Sequence, residues 1–266
     1  MLGSGTPAPY GLFDAVFPPV KFDLGNTMRI TTLFLLAASL TLPAFALPTF
    51  PLTYTDPLAS ADPADVIGDP NQFDIASLRF ASFDAGAKRF TVEILMNYGG
   101  GTSLGAFSVG GSFTNLNVGD LFFFSGSNIY AVPLVTRGSL DAGDLYRVTG
   151  TQTAQQVLGL GPDQDSNYRP NAPVWANTTR ATPIGAGTVT TSTTGGPTNL
   201  KVVLSFVAND AFIAGFEGST FSFASATCGN DLITGTIPGS EIPEPGTWAL
   251  LGAGLVALGY MRRRAA

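Results

Sequence analysis

The sequence predicts an all-β fold, an antiparallel, jelly-roll-like β-sandwich, for the central part of this 266-residue chain. Apolar residues recur there at every second position, as in Phe90, Val92, Ile94 and Met96, and this period is typical of a half-buried strand. Glycine, proline, asparagine and aspartate separate the apolar runs at short intervals, as turns do in a sandwich. Only residues 153–158 have the pattern of a helical turn.

The predicted strands follow one another closely along the body, which we place at residues 47–240. Residues 76–97 are expected to form a hairpin, because two apolar runs flank the polar turn at residues 84–88. The further strands are expected at residues 104–109, 121–125, 129–135, 145–149, 188–193, 200–207 and 220–225. A domain of this length is long enough to bury a substantial hydrophobic core.

Residues 28–46 have the pattern of a secretory signal peptide. A basic start precedes an apolar stretch at residues 33–42, and the small residues Ala44 and Ala46 flank Phe45 as in a signal-peptidase site. Cleavage is expected after Ala46. The pattern predicts export of the body through the Sec machinery.

Residues 1–27 do not fit in front of such a signal peptide. They are rich in proline and carry acidic residues where a positively charged leader is expected. The simplest interpretation is that residues 1–27 are an extension produced by a wrongly assigned gene start, and that translation begins at Met28.

The C-terminal segment, residues 241–266, joins three features in order. A Pro-Glu-Pro hinge precedes an apolar run, and an arginine cluster follows it: Pro243, Glu244, Pro245, Arg262, Arg263 and Arg264. The apolar run is expected to form a short transmembrane helix, with the arginines held on the cytoplasmic side by the positive-inside rule. Prolines on both sides of Glu244 favour the extended backbone that a protease groove accepts.

This arrangement resembles the PEP-CTERM sorting signal of Gram-negative bacteria, which membrane proteases called exosortases recognise. The resemblance covers about the last twenty-five residues. It implies that an exosortase processes the chain, that its inner-membrane anchor is transient, and that the body reaches the cell surface or the extracellular matrix. It also implies export together with exopolysaccharide, so a polysaccharide is the expected partner.

The composition of the body excludes several classes of function. Residues 47–242 contain eight Lys and Arg against sixteen Asp and Glu, and such an acidic surface disfavours nucleic acid as a partner. The chain has no histidine, which excludes Ser-His-Asp and Cys-His catalysis and histidine-ligated zinc. Its one cysteine, Cys228, lacks nearby basic residues and is expected to be a buried structural thiol rather than a nucleophile.

Hydrolysis would therefore depend on carboxylates. Glu93 and Glu217 are the only glutamates of the body, and glycosidases use a pair of carboxyl groups on either side of the scissile bond. We predict a protein that is not an enzyme: an exported surface or matrix protein with a carbohydrate-binding sandwich. A polysaccharide hydrolase that uses these two glutamates is one alternative, and an adhesive structural protein with no small ligand is another.

An acidic loop at the start of the body is the candidate metal site. Aspartates recur there at short spacing, at Asp56, Asp62, Asp65, Asp69 and Asp74. Carboxylates and loop carbonyls are the ligands that calcium prefers, so the loop predicts a calcium ion held by Asp65, Asp69 and Asp74. The alternative is a surface loop whose carboxylates cap turns. Residues 65–75 with the hairpin after them also resemble the opening of DOMON-like and family-9 carbohydrate-binding modules, some of which bind calcium.

Two aromatic residues are the candidate ligand contacts. Trp175 lies close in sequence to Tyr168 and Arg169, and aromatic faces stack on the apolar faces of sugar rings. The sequence therefore predicts a sugar-stacking surface at Trp175 and Tyr168, against the alternative of ordinary packing. No cofactor other than calcium is expected.

Overall fold

The computed structural model describes residues 47–56, 65–109, 113–160 and 168–239, together with Gly254. The chain divides into two compact units, Met1–Ala44 and Phe45–Ala266. Every described residue belongs to the second unit.

The predicted targeting segments lie outside the described residues. This holds for the signal peptide with Ala44 and Ala46, for the Pro-Glu-Pro hinge and for the three terminal arginines. Among the residues that are described, no helix is long and apolar enough to cross a membrane.

The first sheet has five antiparallel strands in the order β1-β2-β3-β11-β10. Its strands are β1 (Leu52–Thr55), β2 (Ile75–Asp84), β3 (Arg89–Met96), β10 (Gly187–Thr193) and β11 (Leu200–Val207). The long hairpin of β2 and β3 forms its centre, and the register places Phe80 opposite Val92. Buried and half-buried residues alternate along β3, so one face of this sheet packs into the core.

The second sheet has six antiparallel strands in the order β13-β12-β4-β5-β6-β9. Its strands are β4 (Leu121–Ser125), β5 (Asn128–Val132), β6 (Leu145–Val148), β9 (Thr182–Gly185), β12 (Thr220–Ala224) and β13 (Leu232–Thr236). A separate two-stranded ribbon pairs β7 (Thr151–Thr153) with β8 (Pro173–Ala176). The predicted all-β sandwich is confirmed.

The helices of the described part are short and lie in the connections. They are α1 (Pro70–Phe73), α2 (Ala154–Leu158), α3 (Asp210–Ala214) and a 3-10 helix, Thr178–Arg180. The predicted helical turn at 153–158 is α2, which begins with a capping box between Thr153 and Gln156. It ends at Gly159, whose positive φ of 65° favours glycine.

The main core lies between the two sheets and is rich in phenylalanine. Phe90 of the first sheet contacts Phe216 at a ring-centroid distance of 4.7 Å, and Phe123 of the second sheet contacts Phe212 at 5.2 Å. All four rings are at most 1% exposed. The phenylalanines of the strands therefore build the core, as aromatic side chains with large apolar areas do.

One predicted strand is wrong. Residues 104–109 form no regular strand: Leu104 has a positive φ of 54°, Phe107 forms an isolated bridge to Leu116, and the Val109 N–H donates to the Phe113 carbonyl at 3.1 Å. The Tyr98 hydroxyl donates to the Gly105 carbonyl at 3.1 Å, and the segment pairs with residues 113–116 and belongs to neither sheet.

Candidate metal centre

Three aspartates from distant parts of the chain meet at one end of the sandwich. Asp56 follows β1, Asp65 begins the loop that leads to α1, and Asp231 immediately precedes β13. One carboxylate oxygen from each lies within 4.8 Å of the others. Asp231 is fully buried, while Asp56 and Asp65 are half-buried. We call Asp56, Asp65 and Asp231 the aspartate cluster.

Backbone contacts fix Asp231 at this place. Its Oδ2 accepts a hydrogen bond from the Ile75 N–H at 2.5 Å, and its Oδ1 accepts one from the Leu232 N–H at 2.7 Å. The Asp56 N–H donates to the Ala76 carbonyl at 3.0 Å, which extends the pairing of β1 and β2 up to the cluster. The start of β2 therefore positions two of the three carboxylates.

Arg169 ties the remaining segment to the same place. Its guanidinium donates to the Asn230 carbonyl at 3.0 Å, to the Gly229 carbonyl at 3.3 Å and to the Asp65 carbonyl. Since these bonds go to backbone carbonyls, the guanidinium binds the loops of the cluster without neutralising a carboxylate through a direct salt bridge. The charged side chains at this end of the protein are therefore mainly acidic.

Burial and the neighbouring carboxylates raise the pKa values of Asp56 and Asp231. Burial, followed by the Asp231 carboxylate and by Asp65, raises the pKa of Asp56 to about 8. Burial raises the pKa of Asp231 to about 7, with Asp65 adding to the effect and the Ile75 N–H opposing it. Like charges and burial both disfavour the ionised form of a carboxyl group. Both effects favour the protonated forms of Asp56 and Asp231.

Several oxygens of this region lack hydrogen-bond donors among the described residues. Asp56 Oδ2 and Asp65 Oδ2 are buried without one, and so is Oδ1 of Asn230, a residue only 4% exposed. A buried oxygen without a donor is costly, and carboxylate oxygens are normally satisfied by N–H groups, protons or metal ions. A proton shared by Asp56 and Asp65 is one solution, and a hard cation with oxygen ligands is another.

The structure rearranges the predicted set of metal ligands. Asp65 belongs to the cluster, and Asp74 is buried nearby and adds to the charge that Asp56 experiences. Asp69 has a different role: it caps α1 by accepting from the Asn71 N–H at 2.9 Å and from the Gln72 side chain at 3.1 Å. Asp69 is thus a capping carboxylate, as in the alternative interpretation of the loop. Calcium binding remains a prediction for Asp65 and Asp74.

Sequence reasoning missed Asp231 as a member of the site. It lies far along the chain from Asp65, in the segment Cys228-Gly229-Asn230-Asp231. The available signal was a polar pair, Asn230 and Asp231, between the apolar strands that became β12 and β13. Only the pairing of strands distant in sequence brings that signal next to the acidic loop.

The two predicted sugar-stacking residues have different environments. Tyr168 is fully buried, so its ring offers no face to a sugar and is removed from the candidate contacts. Trp175 is half-buried, and the guanidinium carbon of Arg137 lies 4.5 Å from its ring centroid. One face of the indole is thus occupied by a cation–π contact. An open groove of about 480 Å³ nevertheless lies over residues 168–173, beside Ile67 and Leu232.

The Arg137 side chain is held by a buried carboxylate. Asp120 is 0% exposed and forms two hydrogen bonds with the guanidinium, at 2.8 and 2.5 Å. Its Oδ2 also accepts from the Ala176 N–H at 2.7 Å. Burial raises the pKa of Asp120, and Arg137 opposes this effect. The pair links β4 to the β7–β8 ribbon and is a structural contact.

On the outer face of the first sheet, the ionised Glu93 forms ion pairs with two basic side chains. It accepts a hydrogen bond from Lys201 at 2.7 Å and one from Arg79 at 3.2 Å. The bond from Lys201 is the largest cause that lowers the pKa of Glu93. Glu217 lies in the connection between α3 and β12 and is half-buried. A glycosidase acid needs a raised pKa, so the environment of Glu93 is unsuited to that role.

Cys228 is buried at 0% exposure within a second, smaller core that also contains Tyr168 and Val174. Burial raises the pKa of its thiol to about 12. A thiol with so high a pKa is not a nucleophile near neutral pH. Its surroundings agree with the predicted structural role.

Comparison with known proteins identifies the C-terminal segment. Residues 241–264 match the family of the PEP-CTERM protein-sorting motif. The chain therefore carries a PEP-CTERM sorting domain, which confirms the predicted sorting signal. It is an exported, cell-surface-directed protein that is processed by an exosortase, a membrane protein. No curated protein and no solved structure matches the chain.

Proposed function

We propose that the body of this exported protein is a non-catalytic module that binds extracellular polysaccharide at the cell surface or in the matrix. The observation that carries the non-catalytic role is the pairing of Glu93 with Lys201 and Arg79. Both of its carboxylate oxygens are engaged by cations, so Glu93 is held ionised and cannot supply the proton that a glycosidic oxygen needs.

Two features support polysaccharide as the partner. The sorting motif directs the body to the cell surface, and the resemblance to PEP-CTERM proteins implies export together with exopolysaccharide. The groove over residues 168–173 is open and lined mainly by apolar groups, with Asn171 exposed at its rim. An open groove with an apolar floor suits the ring face of a sugar chain better than a small metabolite, which proteins usually enclose in a deeper pocket.

Cosedimentation tests this proposal. The purified protein is expected to sediment with exopolysaccharide from the organism that produces it, and to release no new reducing ends during prolonged incubation. Release of reducing ends that Glu93→Gln abolishes would instead establish the hydrolase. Absence of both binding and cleavage would favour the adhesive structural protein.

The variant Glu93→Gln also has a predicted effect on stability. It removes the acceptor charge of two partly exposed ion pairs, whose side chains are 23–43% exposed. Such pairs contribute roughly 0–1 kcal/mol each, so the midpoint of urea unfolding should move only slightly. Polysaccharide binding should be unchanged, and a large loss of binding would place Glu93 in the ligand site.

A further inference from the structure

Most basic side chains of the body are already engaged. Of the eight Lys and Arg in residues 47–240, six hydrogen-bond or form ion pairs with described groups. These are Arg79 and Lys201 with Glu93, Lys88 with Asp210, Arg89 with Ser205, Arg137 with Asp120, and Arg169 with backbone carbonyls. The basic side chains thus serve mainly to hold the fold together.

The two that remain, Arg147 and Arg180, line the same groove. The groove has a volume of about 300 Å³ and lies at the β9 edge of the second sheet. Neither arginine forms an ion pair or a side-chain hydrogen bond with any residue in the described part of the chain, and both are exposed. Two unneutralised cations at one groove are notable in a chain with a net charge of −6.

Regular structure fixes the backbone of both arginines. Arg147 lies in β6, opposite Tyr130 of β5 and Thr182 of β9. Arg180 ends the 3-10 helix, which Asn177 caps by accepting from the Thr179 N–H at 3.0 Å. Because Arg180 precedes β9 by only two residues, the pairing of β9 with β6 keeps the two side chains at one groove.

The rest of the groove suits a hydroxylated ligand. Ser127, Thr149 and Thr182 contribute hydroxyl groups that can donate and accept hydrogen bonds. Ile129, which is half-buried, contributes apolar surface, and Val148 lies beneath it in the core. Guanidinium groups bind carboxylates through paired, charge-assisted hydrogen bonds. A sugar that carries a carboxylate offers all three complementary features: an anion, several hydroxyls and an apolar ring face.

We propose that this groove binds the uronic-acid units of an acidic polysaccharide, with Arg147 and Arg180 contacting the carboxylates. The proposal rests on the proposed polysaccharide-binding function, names its ligand class and adds this groove as a polysaccharide contact in addition to the groove over residues 168–173. Bound carboxylates would neutralise two cations that the described residues leave unpaired, and the neighbouring hydroxyls would select a sugar acid over a simple anion.

Calorimetry with the purified protein and an oligogalacturonate tests the proposal, with a neutral dextran oligosaccharide as the comparison ligand. The wild type is expected to bind the oligogalacturonate alone, and more weakly as salt rises, because exposed charge contacts are screened. Arg147→Gln and Arg180→Gln should each weaken binding by about tenfold or more, the effect of losing a charge-assisted contact. Both residues are exposed, so thermal unfolding should be close to wild type.

The control is Lys88→Gln, which removes one positive charge at an exposed ion pair away from this groove. It should leave the affinity within about twofold of wild type, because a distant charge is largely screened. Equal losses from all three variants would show non-specific attraction and overturn the site. Competition by inorganic phosphate as strong as that by the oligogalacturonate would show a general anion site and overturn the sugar assignment.

The outcomes also separate this proposal from the proposed function. If the protein binds the producing organism's exopolysaccharide and Arg147→Gln has no effect, the groove assignment is wrong while the function stands. If the protein binds no polysaccharide of any charge, both are wrong. Binding of dextran as tight as that of oligogalacturonate would likewise reject the acidic ligand and retain the general function.

Discussion

Asp120→Ala is expected to destabilise the protein by about 3–5 kcal/mol, the usual effect of removing one partner from a buried ion pair. Asp120 is 0% exposed, and the side chain of Arg137 is only 13% exposed. The variant leaves a largely buried guanidinium without its carboxylate and the Ala176 N–H without its acceptor. Urea unfolding followed by tryptophan fluorescence measures the loss, and Trp175 above Arg137 should report the disturbance directly.

Two comparisons show whether the charge is responsible. The double variant Asp120→Ala/Arg137→Met removes both charges, so it should be more stable than Asp120→Ala alone, because no buried charge remains unpaired. Asp210→Ala removes the acceptor of an exposed pair with Lys88 and should have little effect. If Asp120→Ala and Asp210→Ala shift the unfolding midpoint equally, Asp120 and Arg137 do not form a structural link.

Strands in which apolar and polar residues alternate strictly could be predicted from the sequence, because one face of each strand is buried. The β2–β3 hairpin is the clearest example: the period of two and the polar turn at residues 84–88 both have a local physical cause. By contrast, β9 was missed, because its residues are exposed or half-buried and lack an apolar period. Edge strands of this kind are specified by their neighbour, which a local pattern does not reveal.

The candidate site could be predicted only in part for the same reason. The acidic loop is visible in the sequence, and Asp65 follows from it. The contribution of Asp231 depends on β13 and β2 beginning at the same place, which is a long-range consequence of the sandwich. Tyr168 illustrates the opposite case. The sequence predicted a surface position for its ring, as a sugar contact, but the ring packs in the smaller core.

In the absence of divalent cations, the protein is expected to lose stability as the pH rises from about 4 to 8. Asp231 and Asp56 have folded-state pKa values of about 7 and about 8, above the value of about 3.9 that is usual for an aspartate in an unfolded chain. The folded protein therefore binds protons more tightly, and this contribution is lost as the carboxyls ionise. Asp231 should dominate, because Asp56 is only half-buried and water screens its charge.

Calcium is expected to reverse this loss at pH 8. An ion that binds only the folded state at about 100 times its Kd adds about 2.7 kcal/mol, roughly 5–10 °C in Tm for a domain of this size. Differential scanning fluorimetry with calcium or with a chelator, at pH 5 and pH 8, measures the effect. The difference should be large at pH 8 and small at pH 5, because protonated carboxyls do not bind calcium.

Asp65→Asn and Asp69→Asn form the matched pair that locates the effect. Asp65→Asn removes a charge from the cluster, so it should raise stability at pH 8 without calcium and abolish the calcium response. Asp69→Asn removes a charge from the same loop, yet asparagine can still cap α1, so both responses should persist. If the calcium response survives Asp65→Asn but is lost in Asp69→Asn, the ion binds in the acidic loop through Asp69 and not at the aspartate cluster. A pH dependence without any calcium response would mean that protons on the carboxyls of the cluster, and not a metal ion, stabilise the folded state.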